Sequence, residues 1–283
     1  MEGQAVAPAA GTVLNALANG TGAAFAIDEG TTATVSLDDS GTVTGSVGAD
    51  PDADTELIER CVQRVVERFG DGQGGTVRTE SEVPIASGLK SSSAAANATV
   101  LATLDALGAA DELDREEAAR IGVRAARDAG VTVTGAFDDA SASMLGGVTV
   151  TDNTTDDLLA RETVGWDVLV WTPPERAYSA EADVVRCRSV APVADHAADL
   201  ALEGAYATAM TLNGLAFCAA LGFPPDPMVE VMDSVAGVSL SGTGPSFTAV
   251  GDRARLEAAQ DRWEDREGTA WLTTTNTEGA RVT

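Results

Sequence analysis

A glycine turn that runs straight into an alanine helix leaves a chain little freedom in what it can build around that point. Between Pro84 and Ala96 the sequence reads Pro-Ile-Ala-Ser-Gly-Leu-Lys-Ser-Ser-Ser-Ala-Ala-Ala. Pro84 and Gly88 interrupt regular structure, and Ala94–Leu107 holds good helix formers with no breaker before Gly108. A turn of this kind aims free backbone N–H groups and the positive end of a helix dipole at one place, which is an anion site. Ser91, Ser92 and Ser93 bring hydroxyls that can cap the helix, donate to phosphate oxygens or ligate a metal. Lys90 adds a full positive charge and is the single lysine among 18 basic residues, the rest being arginine. The plainer reading, a serine cap on a buried helix and nothing more, stays open on these residues alone. The stretch is not a P-loop, because Leu89 stands where that motif has glycine before its lysine.

Charge narrows the classes further. The chain carries a net charge of −26 with no acidic tail, its acids spread through Asp50–Glu59, Asp111–Glu117 and Glu257–Glu267. Spread in this way they form a solvated acidic surface on a folded protein. Molar salt shortens the screening length to about 3 Å and makes that charge tolerable. Together with the loss of lysine, this reads as the cytoplasmic protein of a halophile. No basic patch exists to neutralise phosphates, so nucleic acid is not an expected partner. No apolar run approaches twenty residues and no basic, apolar leader opens the sequence, so neither a membrane nor export is expected. Cys61, Cys187 and Cys218 lack metal-site spacing and read as reduced structural thiols. His196 is the sole histidine and reads as a surface residue, which removes Ser-His-Asp and Cys-His catalysis unless it is itself the base.

Length and a 44% hydrophobic content allow one large or two modest domains. Strands are expected near Ala23–Ile27, Thr31–Leu37 and Thr42–Val47, with a glycine turn at Gly11 before them. Asp54–Phe69 is the clearest helix: Leu57, Ile58, Cys61, Val62, Val65, Val66 and Phe69 make one apolar stripe. Thr76–Val83 reads as the strand delivering the glycine turn, and Asp114-Arg-Glu-Glu117 as the cap of a helix reaching Ala129. Later come strands at Val148–Thr151, Trp166–Trp171, Phe247–Val250 and Ala270–Thr275. Helical patterns cover Asp195–Leu221 (weakened by Gly204 and Gly214), Pro224–Val235 and Arg253–Arg266.

Three further stretches carry chemistry. Gly135-Ala-Phe-Asp138-Asp139 precedes small residues and Gly146-Gly147; adjacent acids in apolar company need partners or shifted pKa values if buried. Gly11-Thr12 with Asn15 is turn chemistry or a substrate motif. Ser241-Gly242-Thr243-Gly244-Pro245-Ser246 lets a ligand approach the main chain. With the Pro84–Ala94 turn between them, the Gly11 and Ser241–Ser246 stretches resemble in order the three motifs of the GHMP kinases, the small-molecule kinases that include galactokinase, homoserine kinase and mevalonate kinase. Gly135–Gly147 resembles the Gly-x-x-Asp that they carry before a helix ending in Gly-Gly. Pro84–Ala94 resembles their second motif, with Lys90 where most members have glycine. That lysine, together with Gly-Thr-x-x-Asn-Ala from Gly11, is similar to one branch, the archaeal-type shikimate kinases.

The resemblance implies an α+β fold of two domains, set at 1–155 and 156–283. The first would hold a left-handed βαβ unit and the second would be ferredoxin-like. It implies ATP and Mg²⁺ as cofactors and phosphorylation of the shikimate 3-hydroxyl, a step toward chorismate and aromatic amino acids. Pro84, Ile85, Ala86, Ser87, Gly88, Leu89, Lys90, Ser91, Ser92, Ser93 and Ala94 would hold nucleotide, with Ser91 or Ser92 on the metal. Asp138 and Lys90 would be catalytic. Gly11, Thr12, Asn15, Asp138, Asp139, Gly242, Thr243 and Gly244 would face substrate, and Arg176, on the proline-stiffened loop Thr172–Tyr178, is a candidate for its carboxylate. A homoserine kinase and a non-catalytic nucleotide-binding regulator are the alternatives, and a homo-oligomer stays open. The charge gives the first test: the thermal midpoint should rise steadily from low to molar KCl. A flat or falling midpoint contradicts the halophile reading.

Overall fold

The computed structural model describes residues 1–48, 50, 52–177 and 182–283, so Tyr178 lies outside the described residues. Two long strands open the chain, β1 (Glu2–Leu14) and β2 (Thr21–Asp38), paired antiparallel. β3 (Val43–Val47), α1 (Glu56–Phe69) and β4 (Gly74–Ser81) follow as a crossover whose two strands lie parallel. Then come α2 (Ser91–Ala106), α3 (Arg115–Asp128) and α4 (Phe137–Leu145), and the antiparallel pair β5 (Val148–Asp152) and β6 (Asp157–Glu162). The sheet runs β3-β4-β2-β1 and ends on the last strand of the chain, β11 (Arg281–Val282), while β5 joins through β2.

α2 lies at the centre of this half. It presents no one polar face: Asn97, Thr99 and Thr103 are as fully buried as Ala94, Ala98, Val100, Ala102 and Leu104, among α1, α3, α4 and the sheet. A helix with no polar face has to be enclosed, and alanine keeps it thin enough to fit. A Cβ added at Gly3 would collide with the Ala102 carbonyl, so the helix backbone rests directly on β1. Asn97, wholly buried, donates from Nδ2 to the Ala140 carbonyl at 2.9 Å and ties α2 to α4.

The second half is built from β7 (Asp167–Thr172), α5 (Val184–Ser189), α6 (Ala191–Leu202), α7 (Tyr206–Leu221), α8 (Asp226–Val229), β8 (Gly237–Leu240), β9 (Phe247–Gly251), α9 (Arg253–Glu264) and β10 (Thr269–Thr274). Its four strands are all antiparallel in the order β10-β7-β9-β8. A strand, helices, a hairpin, a helix and a strand in that order make a ferredoxin-like unit, as expected. After β10 the chain returns to the first half. Asn276 accepts from Gly147 N–H through its carbonyl, Ala280 N–H donates to Met144, and Thr283 N–H donates to Gln4.

Several expectations change in detail. Gly11 sits inside β1, not in a turn. Its cross-strand partner is Phe25, whose ring fills the place of the missing side chain. The two strands expected at Ala23–Leu37 are one continuous β2. The helical pattern from Asp195 breaks at Gly204 into α6 and α7, and Pro224–Val235 yields only the short α8. The division set after residue 155 falls within the β5–β6 hairpin, because Asp157–Glu162 pairs with β5 in the first sheet. β6 carries its apolar residues, Leu158, Leu159 and Ala160, in one run, which hides its strand period.

Gly214 lies within α7, where a Cβ would stand 2.7 Å from Ser239 Cα and 2.6 Å from Met228 Cε. Helix propensity favours alanine over glycine by about 1 kcal/mol, but overpacking costs about 1–3 kcal/mol. Gly214→Ala should therefore lower the thermal midpoint, and a raised midpoint would show that α7 and β8 are free to separate.

Candidate active site

The loop from Pro84 to Lys90 is held from behind. Ala177 N–H donates to the Ala86 carbonyl (2.9 Å), Ser246 N–H to Ser87 (3.0 Å) and Ala10 N–H to Leu89 (3.1 Å). The Ser241 hydroxyl donates to Gly88 at 2.9 Å. Four consecutive carbonyls are thus bonded to the rest of the protein. In a trans peptide the N–H points opposite to the carbonyl, so the amides of Ser87, Gly88, Leu89 and Lys90 turn away from these partners. Among the described residues none of the four donates to a protein acceptor. α2 begins at once, and no side chain caps its N-terminus, so the serine hydroxyls do not act as a cap. The first-turn amides of any helix lack internal acceptors, which completes an anion cradle.

The loop backbone explains a departure noted in the sequence. Lys90 has φ +65°, Gly88 +85° and Ala86 +57°. The left-handed region favours glycine and costs other residues roughly 1–2 kcal/mol. Lys90 therefore occupies a glycine position and brings an ammonium to it. Its Nζ lies 2.7 Å from Asp139 Oδ1, with the two side chains 9% and 14% exposed. A Cβ at Gly242 would stand 3.0 Å from that ammonium, so this glycine leaves it room.

The first and third motifs meet here. Gly242 N–H donates to Thr12 Oγ1 at 2.7 Å, and Asn15 Nδ2 donates to the Gly242 carbonyl at 2.9 Å. Asn15 N–H donates in turn to Asn213 Oδ1, whose amide reaches Ser239. Thr12 and Asn15 are buried, with these polar atoms engaged, so the structure places them as braces of the Gly242 turn. Gly11 packs against Phe25, and Gly244 against the Phe223 ring.

The adjacent carboxylates separate cleanly. Both lie in the first turn of α4, not before it. Asp139 faces the cleft and Lys90. Asp138 points the other way, with Oδ1 accepting from Asn153 Nδ2 at 2.7 Å and its N–H donating to Asn153 Oδ1 at 3.1 Å. Burial and the neighbouring Asp139 charge push Asp138 up to about 7, against the pull of Lys90 and Asn153. Asp138, the carboxylate expected beside the acceptor, does not line the cleft, whereas Asp139 does.

The cleft between the halves has a volume of about 560 Å³. Of the residues expected to bind ligand, Ile85, Ala86, Gly88, Lys90, Ser91, Ser92, Ser93, Asp139, Arg176, Gly242 and Thr243 line it. Pro84, which is exposed, does not line it, and the buried Ser87, Leu89, Ala94, Gly11, Thr12, Asn15, Asp138 and Gly244 do not either. Arg176 is exposed at the rim. The sequence reading missed the apolar wall of Leu57, Ile58, Val123 and Ala126, because their helical stripes read simply as core. The described residues hold no group of three carboxylate, histidine or cysteine side chains able to cage a metal. Mg²⁺ is commonly held by few protein oxygens plus substrate phosphates, and the Ser91 and Ser92 hydroxyls beside the cradle fit that mode. All three cysteines are free and buried, with burial pushing Cys61 and Cys218 up to about 12. His196 is exposed on α6, and no described helix is long and apolar enough to cross a membrane.

An amide cradle, a buried ammonium–carboxylate pair and a cleft between two α+β halves define a kinase of small molecules. Residues 56–147 match the GHMP kinases N terminal domain. The chain is 66% identical over 284 residues to the shikimate kinase of Halobacterium salinarum, covering 100% of both chains. It is 52% identical over 265 residues to that of Methanococcoides burtonii, covering 93% of this chain and 92% of the relative. The fold matches homoserine kinase from Cytophaga hutchinsonii (TM-score 0.79, 19% identity, 100% and 97% of the chains covered). It also matches Methanococcus jannaschii mevalonate kinase (TM-score 0.74, 13% identity, 97% and 98% covered). The chain belongs to the GHMP kinases and, within them, to the archaeal shikimate kinases.

Lys90 can be tested on two counts. Alanine there keeps the left-handed strain and loses the ammonium; glycine loses both. Both variants should drop kcat/KM for ATP on the order of a hundredfold. Lys90→Gly should nevertheless melt above Lys90→Ala, by roughly 1 kcal/mol of stability. Equal melting would remove the backbone argument, and near-normal turnover of Lys90→Ala would remove the ammonium's role.

Proposed function

We propose that this protein transfers the γ-phosphoryl group of ATP to the 3-hydroxyl of shikimate, giving shikimate 3-phosphate and ADP. The observation that carries the reading is the amide cradle of Ser87–Lys90 opening beside the Lys90–Asp139 pair. Full-length identity to curated shikimate kinases supports the acceptor.

The cradle amides and the N-terminus of α2 hold the phosphates in a fixed orientation, and Lys90 offsets charge as it spreads over the transferred group. Most of the catalysis in such a transfer is positioning and electrostatic stabilisation. The Ser91 and Ser92 hydroxyls are the side chains that would hold Mg²⁺, which when bound shields the negative charge of the phosphates. Asp139 accepts the hydrogen of the acceptor hydroxyl, orients its lone pair toward phosphorus and takes the proton as the new P–O bond forms. Its contact with Lys90 holds the carboxylate at the cleft wall. Arg176 at the rim supplies a cation for the shikimate carboxylate, a charge-assisted contact. Leu57, Ile58 and Val123 offer an apolar wall for the nucleotide base. The acidic surface and the absence of a basic patch suit a cytoplasmic enzyme with small-molecule partners.

ADP release measured in molar KCl with shikimate, homoserine, mevalonate and galactose tests the acceptor. Turnover on another acceptor with none on shikimate would overturn it. Asp139→Asn should lower kcat by about 10²–10⁴, with ATP affinity changing far less. An active Asp139→Asn enzyme would return the role to Asp138.

A further inference from the structure

We propose that Arg127 and Asp156 are positioning residues for phosphoryl transfer: from outside the cleft they fix the wall Thr132–Ala136, against which the acceptor is held. The proposal rests on this cleft taking ATP and its acceptor together.

The wall has no regular structure of its own. It joins α3 to α4, and Thr132, Gly135 and Ala136 line the cleft. Its internal bonds are short-range: Gly135 N–H donates to Thr132 Oγ1 at 3.1 Å, and Ala136 N–H to Thr134 Oγ1 at 3.2 Å. Ala136 is left-handed at φ +53°, a conformation that costs a residue with a side chain and persists where the surroundings impose it. The imposing contacts come from α3 and the β5–β6 turn. Arg127 donates from Nη2 to the Thr134 carbonyl at 3.0 Å, and its guanidinium lies against Gly135, where a Cβ would collide with it. The same guanidinium grips both carboxylate oxygens of Asp156 at 2.7 Å. Arg120, on the same helix, donates to the Asp156 carbonyl at 3.0 Å and lies over the Phe137 ring, 5.0 Å from its centroid. Wall, turn and the first residue of α4 are thereby one assembly.

None of Arg120, Arg127 and Asp156 lines the cleft, so they reach a bound ligand only through the wall. Asp156 is itself left-handed, φ +58°, so a carboxylate is kept where glycine would sit without strain. The pair is partly exposed, at 39% and 15%, and its charge attraction counts for little in salt. Its contribution is geometric, because a guanidinium fork on a carboxylate fixes both groups in one plane. A lysine cannot reproduce that fork and reach Thr134 as well. The wall also belongs to the acceptor's side of the cleft. It runs directly into the first turn of α4, whereas Leu57 and Ile58, given to the nucleotide base, stand on α1, which packs on α2 and α3.

The test is steady-state kinetics in molar KCl, beside thermal melting, for the wild type, Arg127→Lys, Asp156→Gly, Asp156→Asn and the double variant that combines the first two. The acceptor used is whichever of shikimate, homoserine, mevalonate and galactose the wild type turns over best, so a wild type that prefers another to shikimate rejects only the acceptor reading. Asp156→Gly removes the clasp and the left-handed strain together, so its melting midpoint should stay near that of the wild type. A misplacement of about 1 Å at a reacting centre costs about a hundredfold. A wall loosened by part of that should lower kcat/KM for the acceptor about tenfold, with KM for ATP within about twofold. Arg127→Lys should fall as far and the double variant no further, because both changes break one clasp. Asp156→Asn keeps an acceptor for Arg127 and tolerates the left-handed region, so it should recover part of the loss. A purely stabilising clasp predicts the reverse: lower midpoints, with acceptor kinetics unchanged in the folded enzyme. That result overturns the proposal, as do equal losses toward ATP and acceptor, or losses that multiply in the double variant. Should Asp156→Gly fail to fold, Arg127→Lys decides by the same split.

Discussion

Backbone meets backbone where Gly88 touches the Ser241–Gly244 turn, and the active site depends on that closeness. A side chain at Gly88 would collide with the Ser241 carbonyl and press on Gly244. With none present, Ser241 and Ser246 take the carbonyls of Gly88 and Ser87, and the loop's amides are left free. The phosphate loop comes from the first half of the chain, and its shape is imposed by the second. Thr12 and Asn15 of the first half brace the same turn from the other side. The three glycine motifs are one interlocked object, and the ligand sees only part of it.

This interlocking decides how much was legible in the sequence. The phosphate loop could be read because its requirements are local: a glycine, a helix start and a lone lysine sit side by side. α1 could be read from its apolar stripe and α3 from its cap, Asp114, which accepts from Glu117 N–H. The ferredoxin-like half and the motif order came through resemblance. The roles of Thr12 and Asn15 could not be read, since a hydroxyl spent on Gly242, some 230 residues away, looks in sequence like one offered to substrate. Nor could β6, where Leu158, Leu159 and Ala160 follow one another in sequence although exposure alternates along the strand.

The carboxylates show the same limit more sharply. Successive residues on a helix point about 100° apart, so one of two neighbours faces the cleft and the other the protein. Which one does so depends on where the helix starts, and a boundary error of a single residue exchanges them. Here α4 starts at Phe137, Asp138 turns inward to Asn153 and Asp139 meets Lys90. The charge on Lys90 is then satisfied within the fold, by a residue about fifty positions further along.

The return of the chain's end has a consequence for how the protein is made. Ala280 and Asn276 secure the end of α4, and Thr283 bonds to Gln4, so the last residues close what the first began. A ribosome emits the phosphate loop long before Ser241–Ser246, the residues that shape it. At roughly 5–20 residues per second the interval is on the order of ten to thirty seconds. Throughout it the nascent chain carries the nucleotide motif without the conformation that grips phosphate. The bonds that shape the loop can form only once Ser241–Ser246 has been made.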